Sequence, residues 1–368
     1  MRASSFTTLA EQMLKFQRDH EDADLSFIDM RRSGSLELGT PSNTPRHQLH
    51  IPPSGFPAPI ERLEGYIVGR EIPPASSPSK FAYFLDGAQK TLPVGRVGLM
   101  PISVALSAAG ILERDEDGYA HLLPGSLREQ RVWIIPLQSE DPDLQRWIDW
   151  LEAEGETVRD PLEQCASEDD YHQLLSHYGR LIELSQRTSG ELRSVVETEL
   201  LDYWEHEVAP YNPDRWLVVD GAYQRETTRA IGLVKAFETQ HLAGTEAIEL
   251  FSLAQGHRTT AFRPLARRPD QVDPEADTTD YDRIRPTTWY ERFWDASGLD
   301  ARHGLARIET SPTVATSDAI DEIAAWLMTE RLPRATMDAR WPTLLYPIHF
   351  LEEILKRRLA AMTAGWPS

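Results

Sequence analysis

The sequence predicts an α/β protein in which helices cover one mixed β-sheet. Two apolar, β-prone segments of similar sequence, FAYFLDGA at 81–88 and WLVVDGA at 216–222, flank a long region of helical periodicity. Strand signals return after the second segment, and a helical segment closes the chain. This order of strands, helices and strands is typical of one sheet with helices on its faces.

The composition limits the function classes. The 368 residues suffice for one large domain or two modest ones, and the net charge is -20 at pH 7. This charge disfavours nonspecific adhesion to phosphate backbones or anionic membranes, but a nucleic-acid enzyme needs only a few cations along its substrate path. Cys165 is the only cysteine, which excludes an intrachain disulfide and a cysteine zinc site. We therefore expect a reducing compartment, the cytoplasm.

The first 60 residues are predicted to form a helix and a flexible arm. Residues 5–20 have apolar side chains at helical spacing, without the continuous apolar stretch of a signal peptide. Residues 31–59 are polar and rich in Ser, Pro and Gly, as in an exposed arm. Residues 61–368 form the main domain, with a helical insertion at about 140–190. No segment reaches the roughly 20 apolar residues of a membrane span, so no membrane partner is expected.

The first half of the sheet is predicted from apolar segments that follow one another closely. Strands are expected at 63–68 and 81–85, the strongly apolar segment 95–112 supplies one or two more, and 131–136 supplies another. The simplest arrangement of these strands is an antiparallel meander that begins at Asp86.

Helices then dominate before the sheet resumes. Segments at 142–154, 168–186 and 189–207 carry apolar residues at helical spacing, and Pro210 and Pro213 end the last of them. The elements expected after that point are strands at 216–220, 230–237, 259–265, 289–294 and 305–310, helices at 245–253, 318–330 and 348–362, and an acidic surface loop at 268–282.

Two of the predicted strands end at an aspartate that a glycine follows, Asp86 and Asp220. A carboxylate at the open end of a buried strand is a ligand for hard cations, and two in one crevice would hold Mg²⁺ or Mn²⁺. The alternative is that each Asp-Gly only marks a turn, which is what we expect for Asp117 in its polar run. Spacing alone does not show whether the two carboxylates meet.

A third carboxylate is expected from the helix that precedes the second of these strands. Glu197 and Glu199 point to different faces of that helix, and Arg193 lies one turn before Glu197. We favour Glu197, and an ordinary solvated Arg-Glu pair is the structural alternative. Lys235 ends an apolar strand, where its ammonium either meets a phosphate oxygen or simply reaches solvent.

Later segments supply candidate DNA contacts and a further ligand. Arginines recur through the later strands and would suit a wall that tracks phosphates, although each by itself is more typical of a solvated surface. Polar side chains at the beginning of the final helix are candidate metal ligands, with a capping or core role as the alternative. The arginines are Arg258, Arg263, Arg292 and Arg307, and the helix residues are Tyr346, His349, Glu352 and Glu353.

The order of these elements is that of a ribonuclease H-like fold. A strand with Asp86, a three-strand meander, a helix with Glu197, a strand with Asp220 and a closing helix bring carboxylates together from distant positions. Two metal ions held by such carboxylates polarise the scissile phosphate and generate the attacking hydroxide. The motifs GxxxxGK[ST], HExxH and GxSxG are missing, so P-loop ATP hydrolysis, a zinc helix and the usual hydrolase elbow are not expected.

The chain resembles the NurA family, nucleases that work with the HerA translocase in DNA end processing. The segments that carry the resemblance keep their order over about 63–359, and each by itself is short. They are FLDGA at Asp86, LRSVVETEL around Glu197, WLVVDGA at Asp220, AIGLVKAF at Lys235, GHRTTAF at Arg258, WYERF at Arg292, LARIET at Arg307 and LYPIHFLEE near the end.

This resemblance implies a ribonuclease H-like core akin to the Piwi domain, a requirement for Mn²⁺ or Mg²⁺, and degradation of DNA from ends and single strands. It also implies a homodimer docked on a hexameric HerA-like ATPase, with the N-terminal helix and arm as the docking element. By the same likeness Asp86, Glu197 and Asp220 are metal ligands, and Lys235 contacts a phosphate.

Two positions depart from the family pattern. Ala88 stands where the family usually has Ser after the first Asp-Gly, and Ile354 stands where the last helix often carries His or Asp. His349 or Glu353 would then have to supply the fourth metal ligand. The sequence therefore leaves open a catalytically degenerate subunit that docks the motor or clamps DNA. A phosphatase or other small-molecule hydrolase with the same carboxylates is a weaker alternative.

Overall fold

A computed structural model of the chain contains a mixed sheet of fourteen strands and six α-helices among the residues that it describes. The described residues are 59–98, 100–163, 165, 167–223, 225–235, 241–265, 285–296, 301–331, 343 and 345–364, with 13, 15, 16, 18, 19 and 25–27 near the N-terminus. No helix in these parts of the chain is both long and apolar enough to cross a membrane.

The strands and helices have the following bounds. The strands are β1 (Leu25–Phe27), β2 (Ile60–Arg62), β3 (Gly69–Glu71), β4 (Phe81–Val97), β5 (Met100–Arg114), β6 (Ala120–Leu122), β7 (Arg128–Ile134), β8 (Val158–Arg159), β9 (Trp216–Asp220), β10 (Ala230–Val234), β11 (His257–Thr259), β12 (Phe262–Pro264), β13 (Thr287–Arg292) and β14 (Leu305–Thr310). The helices are α1 (Pro142–Ala153), α2 (Glu168–Leu175), α3 (Tyr178–Tyr203), α4 (Thr245–Phe251), α5 (Ser317–Glu330) and α6 (Tyr346–Met362).

The sheet combines parallel and antiparallel pairings. Its strands follow the order β2-β12-β13-β14-β10-β9-β4-β5-β7-β8, while β1 pairs with β4, β6 with β5, and β11 with both β3 and β13. Strand β9 runs parallel to β4 and to β10, and β8 runs parallel to β7. Strands β4, β5 and β7 form the predicted antiparallel meander. The predicted α/β class with one large mixed sheet is confirmed.

The two faces of the central strands pack against different helices because side chains alternate along each strand. Phe84 of β4 belongs to the same buried cluster as Leu351 of α6, whereas Leu85 belongs to the cluster of Val196 on α3. By this alternation Asp86 faces the α6 side of the sheet and Gly87 faces the α3 side. The residues around Asp86 are therefore enclosed from both directions.

One strand boundary changes the sequence prediction for the site. Strand β4 does not stop at Asp86 but continues to Val97, because its antiparallel ladder with β5 runs on past the last residue of the parallel strand β9. The prediction that Asp86 ends a strand is therefore wrong, and its Asp-Gly is no turn. Asp220 does end β9, and Gly221 follows it with φ of 136°, a value that favours glycine.

Other boundaries differ where a side chain or a helix end intervenes. The segment predicted as a strand at 63–68 bends between β2 and β3, and its Glu64 carboxylate accepts the Ala261 N–H at 2.6 Å, between β11 and β12. The prediction of a continuous strand at 259–265 is accordingly wrong. Helix α3 begins at Tyr178 and ends in a π-helical turn at Trp204–Val208 and a 3-10 turn at Ala209–Tyr211.

The remaining predicted elements are confirmed to within a few residues. They are the helices at 142–154, 245–253, 318–330 and 348–362 and the strands at 131–136, 230–237, 289–294 and 305–310. The acidic loop at 268–282 and nearly all of the polar arm at 31–59 lie outside the described residues.

The described part of the N-terminal helix packs against the main domain. Met13 and Phe16 have helical backbone and are buried in the main core cluster. The Phe16 ring lies 5.0 Å from that of Trp147 and 5.2 Å from that of Trp150, both on α1. Strand β1 pairs with the end of β4. These N-terminal residues therefore contribute to the stability of the sheet domain.

A buried ion-pair network joins β11, α5 and the bend before β3. The Arg258 guanidinium is fully buried and lies 2.7 Å from Glu64 and 2.6 Å from Asp321. Burial alone would raise the pKa of Glu64, but hydrogen bonds from Arg258, Ser317 and Ala261 lower it to about 2. Arg258 is thus needed to neutralise two carboxylates that the fold has withdrawn from water.

We expect Arg258→Ala to lower the free energy of unfolding by about 3–5 kcal/mol, because it leaves Glu64 and Asp321 without their cation. Urea denaturation measures this change. Arg62→Ala is the matched control, since Arg62 is 45% exposed and pairs with Glu246 at the surface, and it should cost less than about 1 kcal/mol. Equal losses in the two variants would contradict a structural role for Arg258.

Candidate metal centre

Asp86 and Asp220 are neighbours in the folded chain. Strands β4 and β9 are parallel with Leu85 opposite Val219, so the two aspartates are the next residues on adjacent strands, which lie about 4.8 Å apart. Asp86 is 6% exposed, and the Asp220 side chain is 17% exposed. Strand β9 ends at this point, whereas β4 continues to Val97, so the two carboxylates lie at the end of the parallel pair.

Lys235 is bonded to the second of these aspartates. Strand β10 is parallel to β9 with Leu233 opposite Asp220, which places Lys235 just past the end of β10 and on the same face. Its Nζ lies 2.5 Å from Asp220 Oδ2, and its side chain is only 9% exposed. The ammonium is therefore a near-buried counter-ion for the two carboxylates.

Glu197 reaches the site from α3 because position 87 is glycine. A Cβ at Gly87 would lie 2.2 Å from Glu197 Oε1, which no side chain can accept, so the carboxylate occupies the space that glycine leaves over β4. Arg193, one turn earlier, lies 3.3 Å from Glu197. Glu199 is exposed, whereas the Glu197 side chain is 12% exposed. Glu197, and not Glu199, therefore lies against β4 next to Asp86, on the α3 face of the sheet, and its charge acts on Asp86.

Helix α6 closes the site from the other face of the sheet. Gly110 lies opposite Asp86 on β5, and a Cβ at this position would be 3.6 Å from Leu351 and 3.9 Å from Leu355. The helix thus lies directly over the row of the sheet that contains Asp86. Glu352, the residue after Leu351, contributes its negative charge to the surroundings of Asp86.

His349 and Glu353 were predicted to substitute for the fourth ligand, and Glu352 was a further candidate on this helix. His349 Nδ1 lies 4.0 Å from Glu352, and the Glu353 side chain is 44% exposed and pairs with Lys356 at 3.1 Å. Ile354, at the position where the family pattern has a ligand, packs against the core cluster. Among the predicted acids of this helix, Glu352 is therefore the one whose charge acts on Asp86.

Burial and like charge dominate the electrostatics of the site. Burial and the charge of Asp220 raise the pKa of Asp86 to about 8, against the opposing effect of Lys235. Burial likewise raises the pKa of Glu197 to about 7, although the Arg193 guanidinium opposes this shift. Asp86 and Glu197 therefore resist ionisation in the absence of a metal. A divalent cation bound between them would favour their ionised forms and release their protons.

The predicted DNA-binding arginines do not line this site. Arg258 is held by the network described above, and the fully buried Arg292 donates to the carbonyls of Phe251, Leu253 and His303. The prediction of a phosphate-tracking wall is therefore wrong for Arg258 and Arg292, whose guanidiniums do not reach the surface. Arg263 is partly buried and donates to the Pro312 carbonyl at 2.6 Å.

The remaining predicted arginine stabilises the loop that follows Asp220. Arg307 is 6% exposed, and its Nε lies 2.8 Å from the buried Glu309 carboxylate. Glu309 in turn accepts the Tyr223 N–H at 2.9 Å. Arg307 therefore supports the position of the loop after β9, and it is too buried to serve as an exposed phosphate contact.

The donor set is suited to a hard divalent cation. Asp86, Glu197, Asp220 and Glu352 offer only carboxylate oxygens, the ligands that Mg²⁺ and Mn²⁺ prefer. Within the described ranges no three His, Cys, Asp or Glu side chains stand ready as a metal-ligand group, and Lys235 is the cation bonded to Asp220. Metal binding would thus require the Lys235 ammonium to leave Asp220.

Comparison of the chain with protein-family models finds no match, and comparison with curated proteins finds none either.

Gly87→Ala should displace the Glu197 carboxylate, because the new methyl group would occupy its position. We expect the affinity for Mn²⁺, measured by titration calorimetry, to fall by about 10–100-fold, as when a ligand loses its orientation. Gly179→Ala on α3 is the control, since a Cβ there meets no atom within 4 Å. An unchanged affinity in Gly87→Ala would contradict the assignment of Glu197.

Asp86→Asn tests the raised pKa without any metal. The folded state keeps a proton on Asp86 up to about pH 8, whereas the unfolded chain releases it from 3.8 upward, so stability falls as the pH rises through this interval. Asparagine cannot ionise, and the variant should exceed the wild type in stability by at least about 1 kcal/mol at about pH 8.

The measurement is urea denaturation in a chelator at about pH 5 and about pH 8. Asp214→Asn serves as the control because the Asp214 side chain is 86% exposed. If Asp86→Asn and the wild type show the same loss of stability between the two pH values, Asp86 is not the group that titrates.

Proposed function

We propose that this protein is a metal-dependent deoxyribonuclease that hydrolyses phosphodiester bonds on a ribonuclease H-like core. The observation that carries the proposal is the adjacency of Asp86 and Asp220 on the parallel strands β4 and β9, with the Lys235 ammonium bonded to Asp220. Glu197 of α3 lies against Gly87, and the charges of Glu197 and Glu352 act on Asp86. The parallel pair β4 and β9, the meander of β4, β5 and β7, and the acidic helix between them support the ribonuclease H-like assignment. The resemblance of the same segments to NurA nucleases points to the same assignment.

Each residue of the site has a defined part in this proposal. Asp86, Glu197, Asp220 and Glu352 would hold Mn²⁺ or Mg²⁺, which supplies charge for the scissile phosphate and a water of lowered pKa. Lys235, once it leaves Asp220, donates to a non-bridging phosphate oxygen as a point charge. Arg193 orients the Glu197 carboxylate from one turn away.

The partners follow from the same resemblance. A NurA-like protein would act as a homodimer on a hexameric HerA-like ATPase that feeds it DNA, in end processing, repair or defence. The packing of Phe16 on Trp147 and Trp150 leaves only the remainder of the N-terminal helix and arm for such docking. A single cysteine and a DNA substrate fit a cytoplasmic location.

A catalytically degenerate subunit is the second candidate. The observation in its favour is the 2.5 Å ion pair between Lys235 and Asp220, which neutralises the Asp220 carboxylate without a metal. The two functions differ in metal binding. A calorimetric Mn²⁺ signal that disappears in Asp220→Asn would support the enzyme, whereas no signal in the wild type would support the degenerate subunit.

End-labelled linear DNA provides the direct test of the proposed activity. Wild-type protein with Mn²⁺ should degrade it, a chelator should stop the reaction, and Asp86→Asn should lower the rate by at least about 100-fold because it removes a charge from the centre. Asp214→Asn is the matched surface control and should retain the rate. Undiminished cleavage by Asp86→Asn would contradict the role assigned to the carboxylates.

A further inference from the structure

The outward face of α6 carries two aromatic side chains that the core does not use. Tyr346 is 59% exposed and Phe350 is 37% exposed, whereas Ile348, Leu351 and Leu355 make the buried face of the helix. Tyr346 and Phe350 are one turn apart, so they are neighbours on the surface with an axial separation of about 6 Å. Paired exposed aromatics on one face are typical of a binding surface.

This face adjoins the carboxylates. His349 lies one turn after Tyr346 and one turn before Glu352, and its Nδ1 is 4.0 Å from the Glu352 carboxylate. Glu352 in turn acts on Asp86. A ligand that covers Tyr346 and Phe350 would thus extend past His349 toward Glu352 and the candidate metal centre.

The same face continues into positive charge, although the chain carries a net charge of -20. Arg357 follows Phe350 by two turns and is exposed, and no ion pair of Arg357 is found within the described part of the chain. Glu353, the acidic residue between them, is paired with Lys356 at 3.1 Å. An exposed arginine beside aromatic rings offers a strand of nucleotides a cation for its phosphates and ring faces for its bases.

We propose that Tyr346, Phe350 and Arg357, hereafter the α6 ridge, bind single-stranded nucleic acid and lead it to the carboxylates. The inference rests on the proposed nuclease function and assigns the surface of α6 that receives the substrate. Aromatic faces stack on bases that are unpaired and splayed out, whereas the bases of a duplex are stacked on one another and are not accessible. Consecutive nucleotides would stack on Phe350 and Tyr346 while Arg357 holds an upstream phosphate.

The test compares the double variant Tyr346→Leu/Phe350→Leu with the wild type in the Asp86→Asn background. Fluorescence anisotropy of a fluorescein-labelled oligothymidylate measures the affinity, which should fall by about tenfold or more when two stacking contacts are lost. Tyr119→Leu is the control, because Tyr119 is 74% exposed and lies in the turn between β5 and β6. A blunt duplex of matched length should bind more weakly and with the same affinity in both proteins.

An unchanged affinity for the oligothymidylate in the double variant would overturn the proposal, and so would an equal loss for the duplex. The nuclease function is tested separately with bis(p-nitrophenyl) phosphate, a phosphodiester too small to span the α6 ridge. The wild type should hydrolyse this ester in the presence of Mn²⁺. If the wild type hydrolyses neither this ester nor DNA, the proposed nuclease function is wrong. The anisotropy measurement still shows whether the α6 ridge binds single-stranded nucleic acid, because it does not depend on catalysis.

Discussion

The site depends on one electrostatic constraint, two buried aspartates on adjacent parallel strands that share a single ammonium. Asp86 and Asp220 are brought together by the pairing of β4 with β9, and Lys235 comes from the next strand of the same sheet. Two carboxylates at this distance and burial cannot both remain ionised without a cation. Lys235 supplies one positive charge, and Glu197 and Glu352 add further negative charge. Full ionisation of these carboxylates would require a further cation among them, and this is the physical reason to propose that a divalent metal completes the site.

The backbone provides the space for this arrangement. Gly87 lets the Glu197 carboxylate lie over β4, and Gly110 lies beneath Leu351 and Leu355 where α6 crosses β5. The helices on the two faces therefore approach the same row of the sheet from opposite sides. The loop after Asp220 is held by a buried hydrogen bond, in which the Glu309 carboxylate accepts the backbone N–H of Tyr223. A centre of this kind is as rigid as the sheet that holds it.

Local patterns in the sequence predict the elements well and the tertiary register less well. The alternation and apolar content of 216–220 and 230–237 predict β9 and β10, and the helical phase of Leu192, Val196 and Leu200 predicts which side of α3 is buried. The extent of β4 beyond Asp86 depends on its ladder with β5, a long-range pairing that no local pattern contains. The same holds for the split between β11 and β12, which depends on a hydrogen bond to Glu64.

Some side chains of the site can be predicted from the sequence pattern, and others cannot. Asp86, Glu197, Asp220 and Lys235 were accessible to sequence reasoning because each adjoins an apolar element whose orientation is predictable. Glu352 had a usable signal as well, since it lies one turn after the buried Ile348, whereas Glu353 is one position further toward solvent. Arg258 and Arg292 were misjudged because an arginine in a strand has the same sequence signature at the surface and in a buried network.

The proposed nuclease function requires that the carboxylates of Asp86 and Asp220 form a divalent-cation centre. Crystals grown with Mn²⁺ allow this to be tested by anomalous diffraction, because manganese scatters anomalously and protein atoms hardly do. We expect an anomalous peak between these two carboxylates and Glu197, with the Lys235 ammonium moved away from Asp220. Density that shows Lys235 still bonded to Asp220, with no anomalous peak beside the two aspartates, would contradict the assignment.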